Sequence, residues 1–391
     1  MTSTPPIPLK LPQPVIVRTQ RDMLQAADRL RRELAHLPRL AVDTESNSMY
    51  AYRERVCLIQ LSTAASDYII DPITGAHPQP LGDLFADPAI EKVFHAAEYD
   101  LMCMKREFGF SFQNLFDTMM AARICGLKQH GLGALLGEFF GVVVDKSHQR
   151  DNWGTRPLPK DSLRYAQMDT HFLLPLRARF GQMLAEMSRE DDAREAFQYL
   201  EQVQPPDRTF DPEGYWKIAY PHQLTRRQTA ILRELYLWRD TVAQRSDVPP
   251  YRVMVDKALV AIAQAAPRTP NDLHAVSDVG SGLIRRYGGD VLACVERGLR
   301  AEPPVKRSLD APSDPAAALR YTALRDWRRK RALERGVESD VIIPREALWA
   351  LAEKSPQSLE EMLEIPGLGL WRRTTYGEEI LDVLAKIRLS E

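Results

Sequence analysis

The chain has 391 residues, 44% apolar and 27% charged, with a formal net charge of −1. That length exceeds one ordinary core and points to two or three domains, and the near-neutral balance excludes a global basic field, so any nucleic-acid contact must come from local patches. With no apolar run of about 18 residues, no apolar leader stretch, and four cysteines none of which pair as CxxC, the sequence argues against a membrane protein and a zinc site and reads as cytoplasmic.

Residues 1–14 are proline-rich and read as a flexible arm. Val15–Val17 reads as a short strand, and from Thr19 the spacing of Met23, Leu24, Ala27, Leu30 and Leu34 is helical. Strands are predicted at Leu40–Thr44, Arg55–Thr63, Asp67–Asp71 and Lys92–Ala96, with a short Ala-Ala-Ser turn between the second and third. A helix over Glu98–Phe108 follows, and helical segments dominate from Asp117 to about Leu200. A hairpin series followed by strand–helix alternation predicts a mixed α/β sheet. Clustered Pro and Asp at Gln202–Pro212 mark a linker. The rest reads as two helical modules, residues 216–300 and 316–391, separated by a Pro-rich linker at 301–315. Both modules run aromatic–Arg in a helix, then a turn, an extended patch, a second helix and an acidic helix start, which makes them an internal repeat of ~75 residues.

Three local features carry chemistry. Asp43 and Glu45 lie two apart on an otherwise apolar strand, so both leave the same face. Adjacent carboxylates repel unless a cation sits between them, which points to a hard metal ion. Asp100 follows a predicted strand and falls in the first turns of a helix, where a carboxylate also suits the helix N-terminus. Tyr165 and Asp169 stand at i and i+4, one above the other on a helix face, and a phenol there can orient a water.

Together, DxE on a strand, Asp after another strand and YxxxD on a later helix resemble the DEDDy 3′→5′ exonuclease superfamily, and within it the ribonuclease D family. CLIQLS, FDTMMAARICG (Phe116–Gly126) and NWGTRPLPKDSLRYAQMD (Asn152–Asp169) are similar to that family as well, and both helical modules resemble its HRDC domains. Ser46 and Asn47 depart from the pattern, where many relatives carry an apolar or aromatic residue. The resemblance implies a ribonuclease H-like mixed-sheet exonuclease domain over residues 15–205, followed by two all-α HRDC bundles. It implies two divalent ions, Mg²⁺ or Mn²⁺, on Asp43, Glu45, Asp100 and Asp169, with Tyr165 aligning the attacking water and nucleoside 5′-monophosphate as product. Met49, His95 and Arg156 are the expected substrate contacts, and His148 and Arg150 lie in the same polar loop as Arg156. The substrate implied is a single-stranded RNA 3′ end, as on tRNA precursors, handled by a monomer without an obligate protein partner. A 3′→5′ DNA exonuclease and a decayed RNA-binding adaptor are the alternatives; the four acids do not discriminate the first, and their retention argues against the second.

The helical modules are expected to grip nucleic acid. Arg325, Arg328, Arg329, Lys330 and Arg331 surround Trp327, a pattern that suits backbone binding plus base stacking. IPGLGLWRR (Ile365–Arg373) and DVGSGLIRR (Asp278–Arg286) place glycines at helix starts, where backbone N–H groups can approach phosphate.

Overall fold

The structure is a computed structural model that describes residues 11–222, 224–305 and 315–388. Residues 1–10 of the expected arm and 306–314 of the expected linker lie outside the described residues.

Strand β1 (Val15–Val17) leads into helix α1 (Gln20–Leu34). A capping box between Thr19 and Asp22 starts α1, whose face of Met23, Ala27, Leu30 and Leu34 is buried as the spacing predicts, while Leu24 is exposed. Strands β2 (Arg39–Ser46), β3 (Val56–Ser62) and β4 (Asp67–Ile70) follow; then α2 (Gly82–Ala86), β5 (Glu91–Phe94), α3 (Glu98–Phe108), β6 (Leu115–Asp117), α4 (Thr118–Ile124), α5 (Leu132–Phe140), α6 (Lys160–His171), α7 (Leu173–Glu186) and α8 (Glu190–Glu201). Among the described residues the strands form one sheet in the order β1-β4-β3-β2-β5-β6. The β2–β3 and β3–β4 pairs are antiparallel, and the β1–β4, β2–β5 and β5–β6 pairs are parallel, which makes the sheet mixed as predicted. Strand β3 is buried at every residue. Strand β6 is an addition to the sequence reading, which began a helix at Asp117: three residues are too few to show a period.

The first module contains α9 (Tyr215–Ala219), α10 (Arg226–Ser246), α11 (Pro250–Val253), α12 (Asp256–Ala265), α13 (Pro270–His274) and α14 (Ser281–Arg300). The second contains α15 (Pro315–Arg335), α16 (Ser339–Ile342), α17 (Arg345–Lys354) and α18 (Leu370–Arg388). Each has its own apolar core. The repeat extends to side-chain chemistry. Arg239, after Trp238, donates to the Met254 carbonyl at 2.9 Å; Arg328, after Trp327, donates to the Ile343 carbonyl at 3.1 Å. In both modules the aromatic–Arg pair ties the long helix to the extended patch.

The chain divides into two compact units. One comprises Met1–Ser46, Val56–Pro206 and Asp310–Glu391, so the sheet and the second module belong together. The other comprises Asn47–Arg55 and Asp207–Leu309, the first module with the β2–β3 loop. In that unit the Tyr52 hydroxyl donates to Asp240 at 2.7 Å, the Tyr251 hydroxyl donates to the Met49 carbonyl at 2.9 Å, and Arg252 lies 4.4 Å from the Tyr50 ring centre.

Within the first unit, α18 packs on α8 through a buried ionic network. Asp192 is fully buried, accepts from Arg335 at 2.6 Å and stands 3.5 Å from Arg372. Arg335 also donates to the Tyr376 hydroxyl at 2.7 Å. The carboxylate of Glu195 reaches the N-terminus of α18, accepting from the backbone N–H groups of Gly369, Trp371 and Arg372 and from the Arg372 guanidinium at 3.0 Å. Gly126 meets the Gly336 carbonyl so closely that a Cβ would stand 2.7 Å from that oxygen, and its φ of 84° already favours glycine.

Candidate active site

The carboxylates expected to act together come from three elements. Asp43 and Glu45 leave one face of β2, whose register with β3 shifts between Glu45 and Ser46. Asp169 lies on α6, which packs across β2, β3 and β4. Single oxygens of Asp43, Glu45 and Asp169 all lie within 4.8 Å of one another, a spacing suited to a shared cation. Asp100, in the first turn of α3, is 6% exposed and accepts from the Thr44 hydroxyl, so it is tied to the residue between the β2 acids.

Electrostatics single out this cluster. Burial, then repulsion from Asp169, holds the Asp43 carboxyl well above its usual range. Burial and then the charges of Asp43, Asp169 and Asp100 do the same to Glu45. Asp100 and Asp169 are raised for the same reasons, burial first and a facing carboxylate second. The influences on them are burial, other acids and hydrogen bonds, with no cationic side chain among the leading causes. Like charges kept together this way fit a divalent cation: the donors are all carboxylate oxygens, which hard ions prefer. Tyr165 hydrogen-bonds Asp169, and burial together with the acids around it pushes its phenol far above the usual tyrosine range. It is therefore a hydrogen-bond donor at neutral pH rather than a base.

A cavity of about 340 Å³ opens beside Tyr165, lined by Val142, His148, Arg164, Met168 and Phe172 among others. His148 pairs with Asp151 at 2.9 Å, which raises its imidazole above the usual range, and its ring centre lies 6.5 Å from that of Tyr165.

The other expected contacts are placed differently. Arg156, expected against the substrate, is turned inward. Its guanidinium forms a two-point pair with Asp71 at 2.6 and 2.7 Å and donates to the carbonyls of Cys57, Trp153 and Thr155. Those bonds occupy its donors and make it a brace between the loop before α6 and the sheet. His95 bonds the Thr118 hydroxyl at 2.9 Å, and burial pushes its pKa down to about 4, so it is neutral near pH 7 and offers no cation to a phosphate. Met49 is 43% exposed in the loop after β2.

One residue of the site's framework escaped the sequence reading. Asp117, 2% exposed, accepts from the backbone N–H of Ala97 at 2.7 Å, Ala96 at 3.2 Å, Met119 at 2.8 Å and Met120 at 2.9 Å. It caps α4 and also holds the turn before α3, where Ala96 has a φ of 63°. Its signal in the sequence was an Asp followed by Thr-Met-Met at a helix start. Asp117→Asn replaces an acceptor with an amide donor facing N–H groups. It should lower stability by about 2 kcal/mol and reduce nuclease activity by loosening the turn that aims Asp100, as denaturant unfolding and a cleavage assay would measure.

Comparison with known proteins agrees with this geometry. A 3′-5′ exonuclease family model matches residues 16–185, and the HRDC domain model matches residues 228–295 and 318–384. A ribonuclease D of Gluconacetobacter diazotrophicus is 32% identical over 378 residues, spanning 95% of this chain and 92% of that one. Among solved structures, the catalytic core of RRP6 from Trypanosoma brucei superposes with a TM-score of 0.66 at 28% identity, over 77% of this chain and 83% of that one. Escherichia coli RNase D superposes with a TM-score of 0.69 at 24% identity, over 96% and 99% of the two chains, a likeness of fold. Fold and site thus define a 3′→5′ exonuclease of the DEDD class, which works with divalent metal ions, carrying two HRDC domains. The chain belongs to the ribonuclease D family and is an exoribonuclease.

Proposed function

We propose that the protein shortens single-stranded RNA 3′ ends one nucleotide at a time, releasing nucleoside 5′-monophosphates, with two divalent ions, Mg²⁺ or Mn²⁺, held by Asp43, Glu45, Asp100 and Asp169. The observation that carries this reading is the convergence of mutually repelling carboxylates, Asp100 buried and the other three half-buried, beside one protonated phenol. When bound, such ions acidify water and stabilise charge on the phosphate and the leaving 3′ oxygen.

The chain's own residues perform the rest. The carboxylates on β2, α3 and α6 would hold the ions, whose positive charge would offset that of the reacting phosphate. Thr44 fixes the rotamer of Asp100. Tyr165 keeps its proton, and its phenol oxygen orients the attacking water by accepting a hydrogen bond from it. Tyr165→Phe should lower kcat roughly 10²-fold with KM little changed, since only the orienting hydroxyl is lost. A comparable rise in KM with kcat intact would instead make Tyr165 a binding group.

The direct test uses 5′-labelled single-stranded RNA and a matched DNA strand with Mg²⁺ or Mn²⁺, an EDTA control and the Asp43→Ala variant. A ladder shrinking from the 3′ end of the RNA, lost with EDTA and in the variant, is expected. The absence of a ladder from the unaltered protein on RNA would overturn the reading. We further propose tRNA precursors as the physiological RNA. A tRNA with a 3′ extension should then be trimmed to a discrete length, and indiscriminate digestion without a stop would count against that substrate.

A further inference from the structure

Each acid of the site with a side-chain hydrogen bond has a partner suited to it: Thr44 for Asp100 and Tyr165 for Asp169. Among the described residues Asp43 has a backbone bond, from Thr44, and no side-chain partner. Directly across the β2–β3 ladder from Asp43 stands Gln60. Residues paired across an antiparallel ladder leave the same face, with Cβ atoms about 4.5–5.5 Å apart. Gln60 is fully buried, and among the described residues both polar atoms of its amide lack a hydrogen-bond partner.

That arrangement is unfavourable unless it has a use. A buried polar group without a partner costs about 1–3 kcal/mol, and such groups are rare in folded proteins. Apolar residues of similar size are at home on either side of Gln60. Leu58, two residues earlier, faces Glu45 in the same ladder, and Ile69 faces Gln60 from β4. The register places a carboxylate on the opposite side, and a carboxylate is the acceptor an amide N–H satisfies best. Carboxylates that bind metal ions are in turn held by hydrogen bonds from behind, which fix their orientation and strengthen binding.

We infer that Gln60 is a positioning residue for the metal-binding carboxylate of Asp43: its amide donates to Asp43 when that carboxylate turns toward a divalent ion. The inference rests on the metal reading of the site proposed above. It assigns a role to the glutamine of the CLIQLS segment, which the catalytic arrangement by itself leaves unexplained. With no ion drawing Asp43 toward it, the amide would lack this bond, so Gln60 would oppose stability there and support ion binding.

The test is made on the full chain without RNA. Gln60→Met keeps the length of the side chain and removes both polar atoms. It should melt about 2–4 °C above the unaltered protein in EDTA. It should also bind Mn²⁺, titrated calorimetrically, at least about 10-fold more weakly. A residue that merely packs would lower the melting temperature on substitution and leave Mn²⁺ affinity untouched, and that result would overturn the inference. Asp43→Asn is the control. If it loses Mn²⁺ while Gln60→Met binds normally, the role of Gln60 is wrong and the metal site stands. If Asp43→Asn also binds normally, the metal reading itself fails. Gln60→Leu, measured the same way, provides the second variant should Gln60→Met not fold.

Discussion

Asp43→Asn should abolish RNA shortening and at the same time make the metal-free protein more stable. The loss of activity, roughly 10³-fold or more, follows from replacing a charged carboxylate oxygen of the cluster with a neutral amide. The gain in stability follows from the repulsion that raises Asp43, Glu45, Asp100 and Asp169 together. One charge fewer should relieve about 1–2 kcal/mol, or a few degrees in Tm, in EDTA. The pH dependence has a definite sign. These carboxyls keep protons in the folded chain that the unfolded chain releases near pH 4, so metal-free stability falls as pH rises above that point. Asp43→Asn should flatten the fall. Adding Mn²⁺ should raise Tm in the unaltered protein and do so much less in the variant. Thermal melts across pH, with and without metal, test all of this; a variant that melts lower than the unaltered protein in EDTA would refute the account of mutual repulsion.

Asp192→Ala should detach the second helical module from the sheet domain. Asp192 is fully buried between Arg335 and Arg372, and its removal leaves two largely buried guanidinium groups without that charge. Breaking a buried pair in this way costs about 3–5 kcal/mol. Hydrogen exchange should rise in α18 and in α8 and stay unchanged in α10 and α14 of the first module, which have their own core. Equal protection in α18 before and after the substitution would show that apolar packing alone holds the module. The same interface corrects the expectation for the Ile365–Arg373 glycines. The N–H groups at the start of α18, expected to face phosphate, are taken by Glu195. The basic cluster around Trp327 is partly engaged too: the Trp327 indole and Arg331 bond Glu379, and Arg328 bonds the Ile343 carbonyl.

The side chains that the site brings together were legible because their spacing follows local periods. Asp43 and Glu45 share a strand face by their i, i+2 spacing, and Tyr165 and Asp169 share a helix face by i, i+4. The α3 helix at Glu98–Phe108 and the antiparallel β2–β3–β4 series were equally readable, because apolar runs and a short turn set them. The internal repeat showed itself through its Trp–Arg pairs.

What the sequence by itself determined, then, is the set of elements, the acids they carry and the family resemblance those acids imply. The tertiary structure decided which charges are free to act. Arg156 and the start of α18 read as phosphate contacts because a charge or a glycine turn in a polar segment has no periodicity to show where it points. Their partners, Asp71 and Glu195, lie 85 and 174 residues away in the chain, and only folding brings them within hydrogen-bond reach. Buried ionic groups must be paired, and the search for those partners runs across the whole fold rather than along the chain.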